Sequence, residues 1–525
     1  MINNLRMELF NNMNERKKTR TQKAKLNISF SLIQQGITFI CGLIVPKLML
    51  NAFGSEAYGA TSSIATFLSY ITLLEGGVGA VTRSALYKAF ASKSIERVSA
   101  VVSETKRFYR KIAFAFTIYV VIIACCFKQI SHNTAFDYWY SFSLVIVIAL
   151  STFAEYFIGI SYSLLLQADQ MNYVVVIFRI ITTILNTIGV VVLTSLKCDI
   201  LSVKILSSIV FIIRPLLLSI YVKKRYQLEE VRQSEKLLEN KGSAIGQHIA
   251  WALHNNTDIT VLTVFMDLTW VSVYSVHNMV VSQLQNILSS FSSGMEAVFG
   301  NMYANGERDN LQKTFGYYET LISIFAVTLF SVAAVMIVPF IKIYTSGISD
   351  AQYVNPLFAT MLIIASMLYT FRTPYGHMII AAGRYKETRV AAYGEAVINI
   401  VSSILLVLKY GIVGVAVGTV LATMFRLIYY AVYLEKHVLY RGVGLWIKRM
   451  ITNTVMFVCV YVVGERVKSN ATMNNYLEWT EVSLLMMLIA GAMTCLLYFL
   501  FYREDVKAIV KKGLGRFEED NGSKN

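Results

Sequence analysis

Apolar residues run in long, nearly unbroken stretches along the whole chain, separated by short polar or basic breaks. The stretches fall at about 26–46, 59–82, 112–130, 140–165, 173–196, 202–222, 245–266, 272–295, 316–341, 356–381, 390–408, 415–434, 450–464 and 480–502. A helix needs roughly 20 such residues to cross hydrocarbon. The pattern therefore predicts an all-α, polytopic membrane protein with about fourteen spans, the thirteenth being the shortest. One stretch is odd. Residues 255–275, NNTDITVLTVFMDLTWVSVYS, open on two asparagines and set Asp258 just inside the apolar run. An unpaired carboxylate in a bilayer costs several kcal/mol, so Asp258 needs a partner or water inside the protein.

Composition agrees with the pattern. Of 525 residues, 55% are hydrophobic and only 15% charged, and the mean hydropathy is +0.54. A soluble chain carries nearer a quarter charged residues. The six cysteines have no CxxC spacing, which gives neither a metal site nor a disulfide framework. The basic stretch from Arg16 to Lys25 leads into an apolar segment without a small-residue cleavage site, unlike a signal peptide.

Charge then sets orientation. With an even number of spans, segments on the side of the N-terminus hold about 36 of the 48 Lys and Arg residues, the opposite loops about 8 and the spans about 4. Both termini are therefore expected to be cytoplasmic. The net charge of +16 is a topology signal and not a nucleic-acid-binding surface. The basic segments also suit anionic lipid. Residues 83–111, with Leu, Phe, Val and Tyr at helical spacing among basic residues, read as an amphipathic helix on the cytoplasmic face.

The chain also repeats itself at an interval of about 214 residues. FIIRPLLLSIYVKK (211–224) aligns with TMFRLIYYAVYLEK (423–436), matching Arg214 to Arg426, Tyr221 to Tyr433 and Lys224 to Lys436. Tyr58 matches Tyr274, and Asn186 and Asn399 fall at nearly the same offset. Parallel halves of this kind are expected of two rocking lobes. The boundaries are a basic tail (1–25), a first lobe of helices 1–6 (26–222), a linker (223–244), a second lobe of helices 7–12 (245–434), helices 13–14 as an appendage (435–502) and a tail (503–525).

Several pieces, in order, carry a family resemblance: NAFGSEAYGATSSI, LLEGGVGAVTRSAL, NNTDITVLTVF with VSVYSVHNMV, FGNMYANGERDNLQKTF, YTSGISDAQYVNPL, RTPYGHMIIAAGRYKETR and KYGIVGVAVGT. Over nearly the whole chain the sequence resembles the Wzx-type lipid-linked oligosaccharide flippases. These form the polysaccharide biosynthesis branch of the superfamily that also holds the MATE multidrug exporters. Glu75 stands where family members often have aspartate. The resemblance implies a two-lobed fold with a cavity open to one side at a time. It implies an undecaprenyl-diphosphate-linked oligosaccharide as substrate, moved to the outer leaflet of the bacterial cytoplasmic membrane for surface polysaccharide assembly. Glycosyltransferases and a polysaccharide polymerase are the partners it suggests.

A flippase must pass a diphosphate and sugars through the membrane, which calls for inward-facing cationic and hydrogen-bonding groups. Arg179, Arg214, Arg372 and Arg426 lie within spans. They are candidates for diphosphate binding. Alternatively they snorkel about 9–14 Å to the cytoplasmic interface, or pair with Glu155 and Glu395. Arg83 is equally a topology anchor or a head-group contact. Gln34 and Gln283, like Gln35 and Gln285, suit sugar hydroxyls or interhelical bonding. His254 and Asp258 are i,i+4 neighbours with Trp251 on the same face. They form either a coupling site for H+ or Na+ or a buried pair that packs helix 7. Pro46, after Gly36 and Gly42, is a candidate gating bend, while Gly76, Gly77 and Gly79 suit close helix packing.

No nucleotide loop, cofactor motif or assigned nucleophile is present, so the chain does not read as an enzyme. A polymerase or ligase would be expected to show a large outer loop bearing arginine or histidine. A MATE-type cation-coupled drug antiporter is the strongest competing reading, and a lipid II flippase a close relative of the first.

Overall fold

The computed structural model describes residues 20–92, 94–132, 134–226, 228, 242–290 and 294–509. Most of the basic tail, the linker, the C-terminal tail and the side chain of Trp251 lie outside the described residues. Among those described, helix is the only regular structure. In chain order the helices are α1 (Arg20–Ser69), α2 (Thr72–Glu75), α3 (Val78–Ala91), α4 (Ile95–Ile130), α5 (Tyr138–Ala154), α6 (Ile160–Ala168), α7 (Asn172–Ser195), α8 (Ile200–Tyr226), α9 (Gly242–Phe265), α10 (Leu268–Ser290), α11 (Met295–Ala304), α12 (Arg308–Tyr344), α13 (Pro356–Ala381), α14 (Tyr385–Tyr410), α15 (Ile412–His437), α16 (Val443–Ser469) and α17 (Tyr476–Phe501). A π-helical turn, Glu155–Gly159, joins α5 to α6.

Eleven helical stretches are long and apolar enough to cross a membrane. One of them, Thr21–Glu75, has 55 residues and is broken at Gly54, which is enough for two crossings. α9 and α10, of 24 and 23 residues, have the length but carry His254, Asn255, Asn256, Asp258, His277, Asn278, Gln283, Gln285 and Asn286. Counted with them, the crossings reach the fourteen expected. Large apolar side chains such as Ile181, Ile184 and Ile188 on α7, and Leu484 and Leu488 on α17, face outward, as a lipid-bathed surface requires.

The chain divides into two compact units. The first holds 1–52, 74–128 and 136–241, and the second holds 53–73, 129–135 and 242–525. Within the second unit, the segment after Gly54 packs on α9 through Ser63–Thr263 (2.8 Å) and Tyr70–Thr260 (2.9 Å) hydroxyl contacts.

Three local expectations change. The helix continues through Pro46, and its non-helical residue is Gly54, with φ +80° and ψ 176°. Asp350 fixes that break by accepting from the Ser55 amide (2.7 Å) and hydroxyl (2.6 Å). Gly76 and Gly77 take φ of 52° and 77°, so they end one helix and start α3 instead of lying inside a span. Residues 83–111 form no single surface helix. α3 ends at Ala91 and α4 begins at Ile95, and the start of α4 buries Val98, Val101 and Val102 against Leu165, Leu166 and Val222 of the first unit.

Candidate functional site

Two groups of buried polar residues lie along one seam of the second unit. The GVAVG stretch of α15 creates the seam. A Cβ on Gly414 would strike the Leu406 carbonyl, and one on Gly418 the Ser403 hydroxyl. Only glycines let α14 and α15 approach this closely. That approach sets Thr419, Ser403 and Asn399 beside α9.

Asp258 is 3% exposed. Its carboxylate accepts from the Tyr274 hydroxyl (2.9 Å) and from the Thr419 hydroxyl (2.8 Å), and the Asn399 side chain lies beside it. More oxygens follow in sequence. The Val415 carbonyl is 3.2 Å from Thr419 Oγ1 and 3.5 Å from Ser403 Oγ, which in turn is 3.2 Å from Asn399 Oδ1. The Nδ2 of fully buried Asn399 points to no acceptor with ordinary hydrogen-bond geometry among the described residues. Among the described residues no Lys, Arg or His forms an ion pair with Asp258. The sequence offered His254 as one candidate partner, and the structure sets His254 beside Glu395 instead.

His254 stacks on Tyr369 and sets Nδ1 3.5 Å from Glu395 Oε1. Glu395, fully buried, bonds Arg372 through Oε1 and Arg426 through Oε2. The guanidinium of Arg426 also donates to Tyr430 at 2.7 Å, and Arg372 lies over the Tyr369 ring. Arg372 and Arg426 therefore do not snorkel, and Glu395 is held between two cations. His254 and Asp258 are one turn apart on α9, as are Glu395 and Asn399 on α14. The ion cluster, with its surplus positive charge, and the bare carboxylate are thus successive rungs of one seam.

The first unit carries a related group in a different state. Arg214 on α8 pairs with Glu155 at 3.0 Å, both about one-fifth exposed. Glu155 begins the π turn, and a Cβ on Gly159 would lie 2.7 Å from its Oε2, so the carboxylate is folded back over its own helix. Arg179 on α7 is exposed and forms no ion pair among the described residues, although Arg214 and Glu155 are the charged groups that act on it. It shares a helix face with buried Val175, Thr182 and Val190, opposite outward-facing Ile181, Ile184 and Ile188. Arg179 thus lines a recess and does not face lipid. Nearby, Tyr156 bonds Glu75, and half-buried Arg83 reaches Gln167 at 3.5 Å.

Gln34 and Gln283 are both half-buried, in different units. Sequence reasoning did not assign Thr419 and Ser403 to the Asp258 site, and used Asn399 and Tyr274 only to align the repeat. The close-packing glycines at 414 and 418, immediately before Thr419, were the signal that pointed to them. It also missed a buried network in which Glu319, Glu435 and Asp505 hold Arg441 and Arg449.

No protein-family model matches the chain, and no curated protein sequence matches it. Solved structures do. The lipid II flippase MurJ, in an inward closed conformation, matches with a TM-score of 0.68 at 16% identity, over 91% of this chain and 99% of that one. An inward-facing multidrug resistance MATE family transporter of the MOP superfamily matches with a TM-score of 0.62 at 14% identity, over 78% of this chain and 97% of that one. A MOP superfamily transporter from Pyrococcus furiosus, described as having a binding pocket of reverse polarity that suggests a different function, matches with a TM-score of 0.57 at 15% identity, over 80% of this chain and 95% of that one. At these identities the likeness is one of fold. The protein is an all-helical, multi-pass membrane protein with the fold of MOP superfamily transporters.

Proposed function

We propose that the protein flips an undecaprenyl-diphosphate-linked oligosaccharide from the inner to the outer leaflet of a bacterial cytoplasmic membrane by alternating access. Glycosyltransferases would build this substrate and a polymerase would consume it. The observation that carries the reading is the sign of the open charge in the first unit. Arg179 is exposed, and Arg83 and Arg214 are partly so, whereas Glu155 is tied to Arg214 and Glu75 to Tyr156. An anionic head group suits such a surface, and an organic cation does not. The match to the lipid II flippase also spans more of the chain than the match to the multidrug transporter.

Asp258 supports cation coupling in this scheme. A carboxylate buried without a cationic partner requires a proton or a metal ion. One carboxylate among the neutral oxygens of Thr419, Asn399, Ser403 and Val415 fits a monovalent hard cation. Turning the Asn399 amide would offer its oxygen in place of Nδ2. These residues favour Na+ over H+, which would need the carboxylate alone. The ion would supply a counter-charge that the protein itself withholds.

The test is transport of a fluorescent lipid-linked oligosaccharide in vesicles holding purified protein, driven by a Na+ or a proton gradient. Accumulation in the outer leaflet under a Na+ gradient is expected. Asp258→Asn, nearly the same shape, should lose gradient-driven transport at least ten-fold with normal folded yield. Transport of an organic cation alone would replace the proposal with drug antiport, which buried Asp258 would then serve.

A further inference from the structure

The two ion clusters have the same parts in a different order. In the second unit, spans 10, 11 and 12 supply Arg372, Glu395 and Arg426. In the first unit, the matching spans 4, 5 and 6 supply Glu155, Arg179 and Arg214. The carboxylate has moved from the middle span to the first. The consequence is geometric. Glu395 stands between its two arginines and gives one oxygen to each. Glu155 lies back over Gly159 and pairs with Arg214, and no described residue forms an ion pair with Arg179.

We infer that the first unit binds an oxyanion between Arg179 and Arg214, bridging the two guanidiniums as Glu395 bridges Arg372 and Arg426 in the second unit. Three features show a built site. The π turn and Gly159 hold Glu155 where it orients Arg214 without covering Arg179; such turns collect at functional sites. Arg179 points with the buried face of its helix and is still open. Two turns along the same face, the Asn186 amide is unsatisfied at a buried Oδ1, and with the amide turned over its Nδ2, a donor, stands in that position. Two guanidiniums present paired donors suited to phosphate or carboxylate oxygens. The ligand is therefore the diphosphate of a carrier lipid or the carboxylate of an acidic sugar. This inference rests on the proposed transport of an anionic lipid-linked saccharide and names the residues that grip it.

The experiment uses full-length protein in neutral-lipid nanodiscs and measures binding by native mass spectrometry. The probes are undecaprenyl diphosphate, inorganic pyrophosphate and glucuronate. Two variants remove the site differently: Arg179→Ala deletes one donor, and Thr183→Glu, one turn from Arg179, supplies a tethered carboxylate. Thermal unfolding without ligand confirms that each variant is folded. Wild type should bind undecaprenyl diphosphate, both variants at least ten-fold more weakly, and Arg179→Lys in between. If glucuronate binds and the two diphosphates do not, the oxyanion is a sugar carboxylate. Equal binding by wild type and both variants, or no binding of any probe, overturns the site. Variants that lose binding while wild-type vesicles fail to flip the oligosaccharide would keep the site and sink the transport reading. Variants that flip at the wild-type rate would do the reverse.

Discussion

At the scale of single residues, burial of charge separates two roles that the sequence set side by side. His254 and Asp258 are helical neighbours, yet one joins an ion cluster and the other faces only neutral donors. Their types and spacing were legible, and so was the cost of Asp258 in hydrocarbon. Their partners were not, because Glu395 and Thr419 are distant in sequence and reach α9 only through the packing of α14 and α15. Glu395 carries the sharper stability prediction. Removing its charge leaves two buried arginines facing each other, and breaking a buried pair costs about 3–5 kcal/mol. Glu395→Gln should sharply reduce the yield of folded protein in fluorescence-detected size-exclusion chromatography. Adding Arg372→Gln should recover part of it, since the two residues share one interaction. Equal yields for the single variant and wild type would contradict this account.

At the scale of elements, the long apolar runs fixed the helices well but placed the breaks poorly. Proline is the familiar cause of a kink, which is why Pro46 drew the gating assignment. The break lies at Gly54 because an external carboxylate, Asp350, fills the space where a Cβ would stand at 2.9 Å. Gly54→Ala adds a penalty of about 1–3 kcal/mol, for a backbone region open essentially only to glycine, to that contact and should lower the unfolding temperature by several degrees. Pro46→Ala should leave the proposed transport close to wild type, and a large loss would establish Pro46 as a gate. A turn elsewhere has a pH signature. Asp199, just before α8, accepts from the hydroxyls of Ser202 and Tyr140, which hold its carboxyl below the usual range. Its folded-state pKa is depressed, so its contribution is present above the ordinary carboxylate pKa and fades as pH falls through the folded value. Asp199→Asn should therefore narrow the stability difference between neutral and strongly acidic buffer, as read by thermal unfolding of the two proteins.

For the whole molecule, the number and class of the spans were readable because hydrocarbon demands length and apolarity of every crossing helix. Orientation rests on the basic segments. Single-cysteine labelling should find position 350 accessible from outside and positions 235 and 520 reactive only after permeabilisation; outside labelling of position 235 would reverse the topology. The last two helices were read as an appendage, and here the sequence said least, because charged residues near a helix end look like topology anchors. In the structure Arg449 on α16 is 5% exposed at its side chain and bonded by both Glu319 on α12 and Asp505 beyond α17. Thr320 also donates to Asp505 at 2.9 Å. That arrangement has a meaning in time as well as in space. During synthesis Glu319 and Arg449 leave the ribosome well before Asp505, so the cluster lacks one of its acids until the final segment arrives. Chains stopped at residue 502 should be degraded several-fold faster in pulse-chase than chains stopped at residue 509, and equal half-lives would show that the cluster closes without it.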